Sequence, residues 1–110
     1  MKIPNAESAI ISQEKIRQYL LNTEHRHGGS KAALLLSFGY TSDNWTRLAD
    51  DLRIYHLTGD VTVVRETSYG TRYEIRAPLI TPIGRSLTVR SIWQIDTGTN
   101  YPRLITLFPD

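Results

Sequence analysis

Between residues 24 and 32 the chain reads EHRHGGSKA. Two histidines two apart, two glycines, a serine and a lysine are residue types that transfer protons, bind metals or hold anions, and four readings compete for them. A metal centre would use His25 and His27 at H-x-H spacing. It needs further donors, there is no cysteine, and neither His56 nor the scattered carboxylates stand at a spacing that demands a site. A nucleotide P-loop requires its glycines after a strand and a full G-x-x-x-x-G-K-[ST] run; here the preceding element is helical and the run is truncated, which excludes it. An ordinary basic loop with a Gly-Gly hinge is the plain reading. An anion site is the fourth. Gly28 and Gly29 would let the backbone approach a ligand, Ser30 would cap a helix whose free N–H groups favour negative charge, and Lys31 puts an exposed positive charge in a first turn where the dipole prefers an acid. Such a lysine makes sense if it serves a phosphate. A histidine at position 25 adds a side chain of the kind that takes or gives a proton near neutral pH.

The elements that would position these residues follow from periodicity. In AIISQEKIRQYLLN, Ser12 is a candidate N-cap, Ile11 and Ile16 are spaced as a hydrophobic staple, and Ile16, Tyr19 and Leu20 recur at helical spacing. A second helix is expected from near Ser30, with Gly39 as a left-handed stop. A third, within SDNWTRLADDLRIYHL, has Ser42 or Asp43 as cap and Trp45, Leu48, Leu52 and Tyr55 on one stripe; Gly59 ends it. Beyond Gly59 the period changes to two. The runs VTVVRET, TRYEIRAPLIT, SLTVRSIWQID and RLITLF, separated by the turns at YG, PIGR and TGTNYP, predict a four-stranded antiparallel meander. Tyr73, Ile75, Leu87, Val89, Trp93 and Ile95 should face the helices. The expected fold is α+β, with two to three N-terminal helices packed on that sheet. The length of 110 residues fits a single domain, with a helical part at 1–59 and the sheet at 60–110.

The sheet offers cations. Residues 61–110 carry six basic residues, all arginine, and a planar guanidinium matches phosphate and carboxylate alike. Arg72 and Arg90 fall on the outer face, where they form either a phosphate track or cross-strand pairs with Glu74. Arg103 and Thr106, three apart on the last strand, fall on opposite faces unless a bulge intervenes. Trp45 and Trp93 belong to apolar stripes and are assigned to the core; Tyr69, in the SYG turn, is exposed and could stack on a base. The net charge of +2 decides little. Without cysteine, no disulfide-linked partner is expected and a reducing compartment is suitable. No apolar run approaches the roughly 20 residues of a membrane span, and MKIPNAESAIIS is not a signal peptide. A soluble, cytoplasmic domain with no membrane association is expected.

The order PNAE, KIRQYLLN, EHRHGGSKA, FGY, then SYGTRYE, APL, VR, IW and YPRLIT resembles a small bacterial domain family of uncharacterised function over nearly the whole chain. Its members occur as short free-standing proteins and at the C-termini of toxin-like proteins. More loosely, helices followed by a four-stranded antiparallel sheet resemble the ribonuclease-toxin superfamily that includes barnase, colicin E5 and RelE-type toxins. That likeness implies a Lys/His/Arg/Thr inventory working without a metal.

Residues and resemblance together predict a toxin-type, metal-independent endoribonuclease of a bacterial toxin–antitoxin or polymorphic toxin system, with no cofactor. RNA is the expected substrate and a small cognate antitoxin or immunity protein the expected partner. His25 would act as base or acid and Lys31 as phosphate stabiliser. Arg103 and Arg72 would add phosphate contacts and Thr106 an orienting hydroxyl, with Gly28, Gly29, Ser30, Tyr69 and Arg90 completing the substrate surface. Phe108 stands where a tyrosine hydroxyl would have suited the site, so if His25 is the base the acid is unassigned. The alternative is a non-enzymatic protein-binding module: an antitoxin, an immunity-type protein or a phage-related adaptor. The arginines would then meet an acidic partner. The two differ in geometry: an active site requires His25, Lys31 and a sheet arginine to converge on one concave surface, whereas in an adaptor they scatter.

Overall fold

A computed structural model describes residues 1–25 and 29–110 of the chain. The expectations that rest on His27 and Gly28 lie outside those residues.

Ser12 caps the first helical segment, its Oγ accepting the Lys15 amide at 3.0 Å. Ile11 and Ile16 are both buried. The segment Lys15–Leu20 is π-helical, closed by the Leu21 amide on the Ile16 carbonyl at 2.8 Å. The wide turn displaces side chains from the 3.6-residue stripe. Ile16 and Leu20 are wholly buried, but Tyr19, expected beside them, comes out at the edge of the core. Helix α1 spans Gly29–Ser37. It begins one residue before Ser30, which therefore lies within the first turn rather than capping it. Gly39 follows with φ 97°, and a Cβ there would meet the Pro82 side chain at 2.9 Å.

Helix α2 spans Trp45–Asp51 and runs into a π-helical segment, Leu52–His56. Neither Ser42 nor Asp43 caps it. Asn44 occupies the N-cap position with no side-chain bond, while the Ser42 hydroxyl accepts from Arg17 Nε at 3.1 Å. Asp51 is buried and satisfied: Tyr40 Oη donates to it at 2.7 Å and Arg47 Nε at 3.0 Å. Burial first, and the Asp51 carboxylate second, push the Tyr40 phenol up from its ordinary range.

Strands β1 (Val63–Thr67), β2 (Gly70–Ile80), β3 (Ser86–Asp96) and β4 (Arg103–Pro109) form one antiparallel sheet in the order β1-β2-β3-β4. Gly70 closes the first hairpin, where a Cβ would come within 2.1 Å of the Ile95 carbonyl. The inner face presents Tyr73, Ile75, Leu87, Val89, Trp93 and Leu107 to the helices, and all are buried; Ile95 is partly so. Within this core His56 Nε2 donates to the Ala77 carbonyl at 3.0 Å, and Nδ1 is hydrogen-bonded to Ser91 Oγ at 2.6 Å. Trp93 Nε1 donates to the same serine at 2.8 Å. Burial lowers the His56 pKa to about 4, so the ring is neutral and its polar atoms are matched. At the opposite edge from β1, Ile10 pairs with the start of β4: Ile10 accepts from the Leu104 amide at 3.0 Å and donates to the Pro102 carbonyl at 2.8 Å. The Lys15–Leu20 segment and α1 pack along the remainder of β4.

Candidate functional site

The outer face of the sheet is set by register. Arg72 opposes Gln94, Glu74 opposes Ile92 and Arg76 opposes Arg90. On β4, Phe108 opposes Arg90, Thr106 opposes Ile92 and Arg103 opposes Gln94. Those last pairs are possible because the ladder shifts between Ile92 and Trp93, leaving Ile105 as an extra residue. A bulge of this kind turns an odd spacing into a shared face. Arg103 and Thr106, which strict alternation would separate, therefore lie on the same side.

At the β4 edge three elements meet. Lys31 Nζ, from the first turn of α1, donates to Tyr19 Oη at 2.8 Å and to Thr106 Oγ1 at 3.1 Å. It also stands 4.8 Å from the Tyr19 ring centroid and 4.4 Å from that of Phe108. The sequence suggested an exposed charge; the side chain is instead partly buried between two rings and two hydroxyls. The Lys31 hydrogen bond holds the Tyr19 phenol below its ordinary pKa against the opposing effect of burial, with help from the Thr106 hydroxyl and the nearby Lys15. The His25 ring sits edge-on to Tyr19, centroids 4.5 Å apart. His25, Lys31 and Thr106 thus gather around Tyr19, a residue the sequence hid: its spacing with Ile16 and Leu20 marked it as core. The available signal was that a tyrosine at the border of an apolar stripe keeps a hydroxyl that needs a polar partner.

Thr106 and Phe108 are shared with a groove of about 190 Å³ on the outer face, lined also by Val63, Arg65, Arg72 and Glu74. Its arginines differ in how far they are neutralised. Arg72 Nε donates to the amide oxygen of Gln94 at 2.8 Å, a neutral partner that leaves its charge available. Arg90 pairs with Glu74 at 3.4 Å and lies 3.9 Å from Asp110, and Arg76 also pairs with Asp110. Arg103 is held by Asp96 through Nε at 2.6 Å and Nη2 at 3.2 Å. The Arg103 hydrogen bonds, then that of Gln94, keep the Asp96 carboxyl below its ordinary range. A guanidinium in such a fork already has its anion. Arg72 and Arg90 are therefore not an even track: Arg90 makes the cross-strand pair with Glu74 and Arg72 does not.

Gly29 is explained without a ligand. A Cβ there would lie 2.5 Å from the Thr23 carbonyl oxygen, and its amide already donates to the His25 carbonyl at 3.0 Å. Its N–H is thus not a free anion donor. Ser30 is exposed on the first turn of α1, and Tyr69 is 76% exposed in the β1–β2 turn, outside the groove lining. Among the described residues no cluster of three or more His, Asp or Glu side chains could hold a metal ion, and no helix is long and apolar enough to cross a membrane.

Fold and corner define an α+β domain whose helical layer delivers a lysine, a tyrosine and a histidine to the bulged edge strand of an antiparallel sheet. The chain belongs to the family described as a domain of unknown function, DUF6883, whose profile matches residues 2–110. No match was found among curated proteins. Among solved structures, a chain of a contact-dependent growth inhibition toxin–immunity protein complex from Klebsiella pneumoniae 342 is similar, with a TM-score of 0.75 and 16% identity over 96% of each chain. At that identity the likeness is one of fold.

Proposed function

We propose that this domain is a toxin-type endoribonuclease that works without a metal ion. The observation that carries this reading is the convergence of Lys31 Nζ on Tyr19 Oη at 2.8 Å and Thr106 Oγ1 at 3.1 Å, at the mouth of a groove that Arg72 lines. A phosphodiester placed there meets a partly buried ammonium able to stabilise charge that develops on phosphorus, where a low local dielectric strengthens the contact. In the reaction the 2′-hydroxyl loses a proton to a base, its oxygen bonds to phosphorus, and the 5′-oxygen leaves with a proton, giving a 2′,3′-cyclic phosphate and a 5′-hydroxyl. His25 is the base, Lys31 the phosphate stabiliser and Thr106 the orienting hydroxyl. Arg72 holds the flanking strand, and Arg103 contributes there only by exchanging Asp96 for a phosphate.

The shared fold with a chain of a toxin–immunity complex supports a place in such a system, with a cognate immunity or antitoxin protein as partner. The gathering of His25, Lys31 and Thr106 around one phenol favours this reading over a non-enzymatic adaptor with scattered functional residues, while Arg72 lines the sheet groove and His25 the neighbouring one, so the expected convergence with a sheet arginine on one concave surface is incomplete. Expression in a bacterial host tests the proposal. Growth arrest with degradation of cellular RNA is expected, and neither with His25→Ala; normal growth with intact RNA under full-length expression would overturn it.

A further inference from the structure

The reaction above still lacks the group that protonates the departing 5′-oxygen. The corner contains three hydroxyl or ammonium candidates, and their hydrogen bonds separate them. Lys31 spends two donations on Tyr19 and Thr106 and is the charge that the phosphate needs. The Thr106 hydroxyl accepts from that lysine, but an aliphatic alcohol is too weak an acid. The Tyr19 oxygen accepts from Lys31 at 2.8 Å, which occupies a lone pair and leaves its own O–H to be donated elsewhere. Open surface lies to either side of the phenol: its ring borders a shallow groove with Ser12, Lys15, Gln18 and His25, and its hydroxyl shares Lys31 with Thr106, at the rim of the sheet groove.

We propose that Tyr19 is the general acid of the cleavage reaction, delivering its phenolic proton to the 5′-oxygen as the phosphorus–oxygen bond breaks; the assignment rests on the ribonuclease reading. The proton balance closes within the corner. The 2′-hydroxyl proton passes to the His25 imidazole, the 2′-oxygen–phosphorus bond forms, the bond to the 5′-oxygen breaks, and that oxygen takes the Tyr19 proton. The resulting phenolate lies 2.8 Å from the Lys31 ammonium, which stabilises it, in keeping with the lowered pKa of this phenol. Proton transfer through water from the imidazolium, whose ring stands 4.5 Å from that of Tyr19, returns both groups to their starting state. The tyrosine that the last strand lacks at Phe108 is in effect supplied by the first helical segment.

Tyr19→Phe keeps the ring that packs on Lys31 and His25 and removes only the hydroxyl. On ordinary RNA it is expected to lower kcat by about 100-fold or more, the usual range for a lost acid or base, with KM nearly unchanged. The distinguishing substrate is an RNA whose 5′-bridging oxygen is replaced by sulfur, a leaving group that departs without a proton: on it Tyr19→Phe should match the wild type. The wild-type rate should also fall on the alkaline side as the phenol ionises, and 3-fluorotyrosine at position 19, which is more acidic, should move that limb to lower pH without altering packing. If the wild type cleaves RNA and Tyr19→Phe is equally fast on the ordinary substrate, or equally impaired on both, Tyr19 is not the acid while the ribonuclease reading stands. If the wild type cleaves neither substrate, that reading falls and this assignment with it.

Discussion

Lys31, in the first turn of α1, holds its ammonium between the Tyr19 and Phe108 rings and the hydroxyls of Tyr19 and Thr106. A lysine in the first turn of a helix opposes the dipole, and that oddity singled it out in the sequence. Its surroundings were not legible, because they depend on a tyrosine 12 residues earlier and a threonine 75 residues later. Removing it strips a charged donor from two hydroxyls, so Lys31→Ala is expected to cost about 1 kcal/mol, read as a shift in the urea midpoint. The exposed lysine suggested by the sequence would cost less than about 0.5 kcal/mol, and a change that small would contradict the packing described. Gly29 separates structure from ligand binding in the same stretch. With the Thr23 carbonyl oxygen 2.5 Å from where a Cβ would stand, Gly29→Ala is expected to destabilise by about 1–3 kcal/mol, and an unchanged midpoint would show that the loop yields.

At the scale of elements, the strands were legible and the helices only in outline. Alternation placed β3 at the residues where it lies, because one face is buried and a one-residue slip would expose it. The π-helical turns were invisible: the spacing of Ile16, Tyr19 and Leu20 fits an ordinary helix, and only the turn that forms shows Tyr19 displaced from the stripe. The bulge at Ile105 was equally hidden, since nothing in RLITLF marks it, yet it places Arg103 and Thr106 on one face. The layers themselves are joined through His56 and Trp93. Trp93 is fully buried, and Trp93→Ala is expected to cost about 3–5 kcal/mol, measured by denaturant unfolding. His56 titrates near 4 in the folded chain against 6.5 in the unfolded one. Its depressed value means that the folded state binds fewer protons, so stability is complete above about pH 6.5 and declines as pH falls toward 4. From pH 7 to 5 the loss should be about 2 kcal/mol. NMR of the imidazole should find it neutral at pH 5; titration near 6.5 would contradict the buried network.

Across the whole molecule, the arginines are less a uniform basic surface than their number suggests. Asp96, Glu74 and Asp110 answer Arg103, Arg90 and Arg76, while Arg65, Arg72 and the Lys31 corner supply the cationic path along the groove. A strand of RNA held at so few phosphates should bind with only a shallow dependence on salt, since each neutralised phosphate contributes a slope near 0.7 for single strands. The most direct measurement of the central claim is cleavage of RNA by the purified domain in excess EDTA, with the ends of the products analysed, beside Lys31→Ala under the same conditions. The expected result is 2′,3′-cyclic phosphate ends from the wild type and a rate at least about tenfold lower for the variant, equivalent to about 1.4 kcal/mol of lost charge-assisted contact. Intact RNA with the wild type, cleavage that requires an added metal ion, or equal cleavage by Lys31→Ala would contradict it.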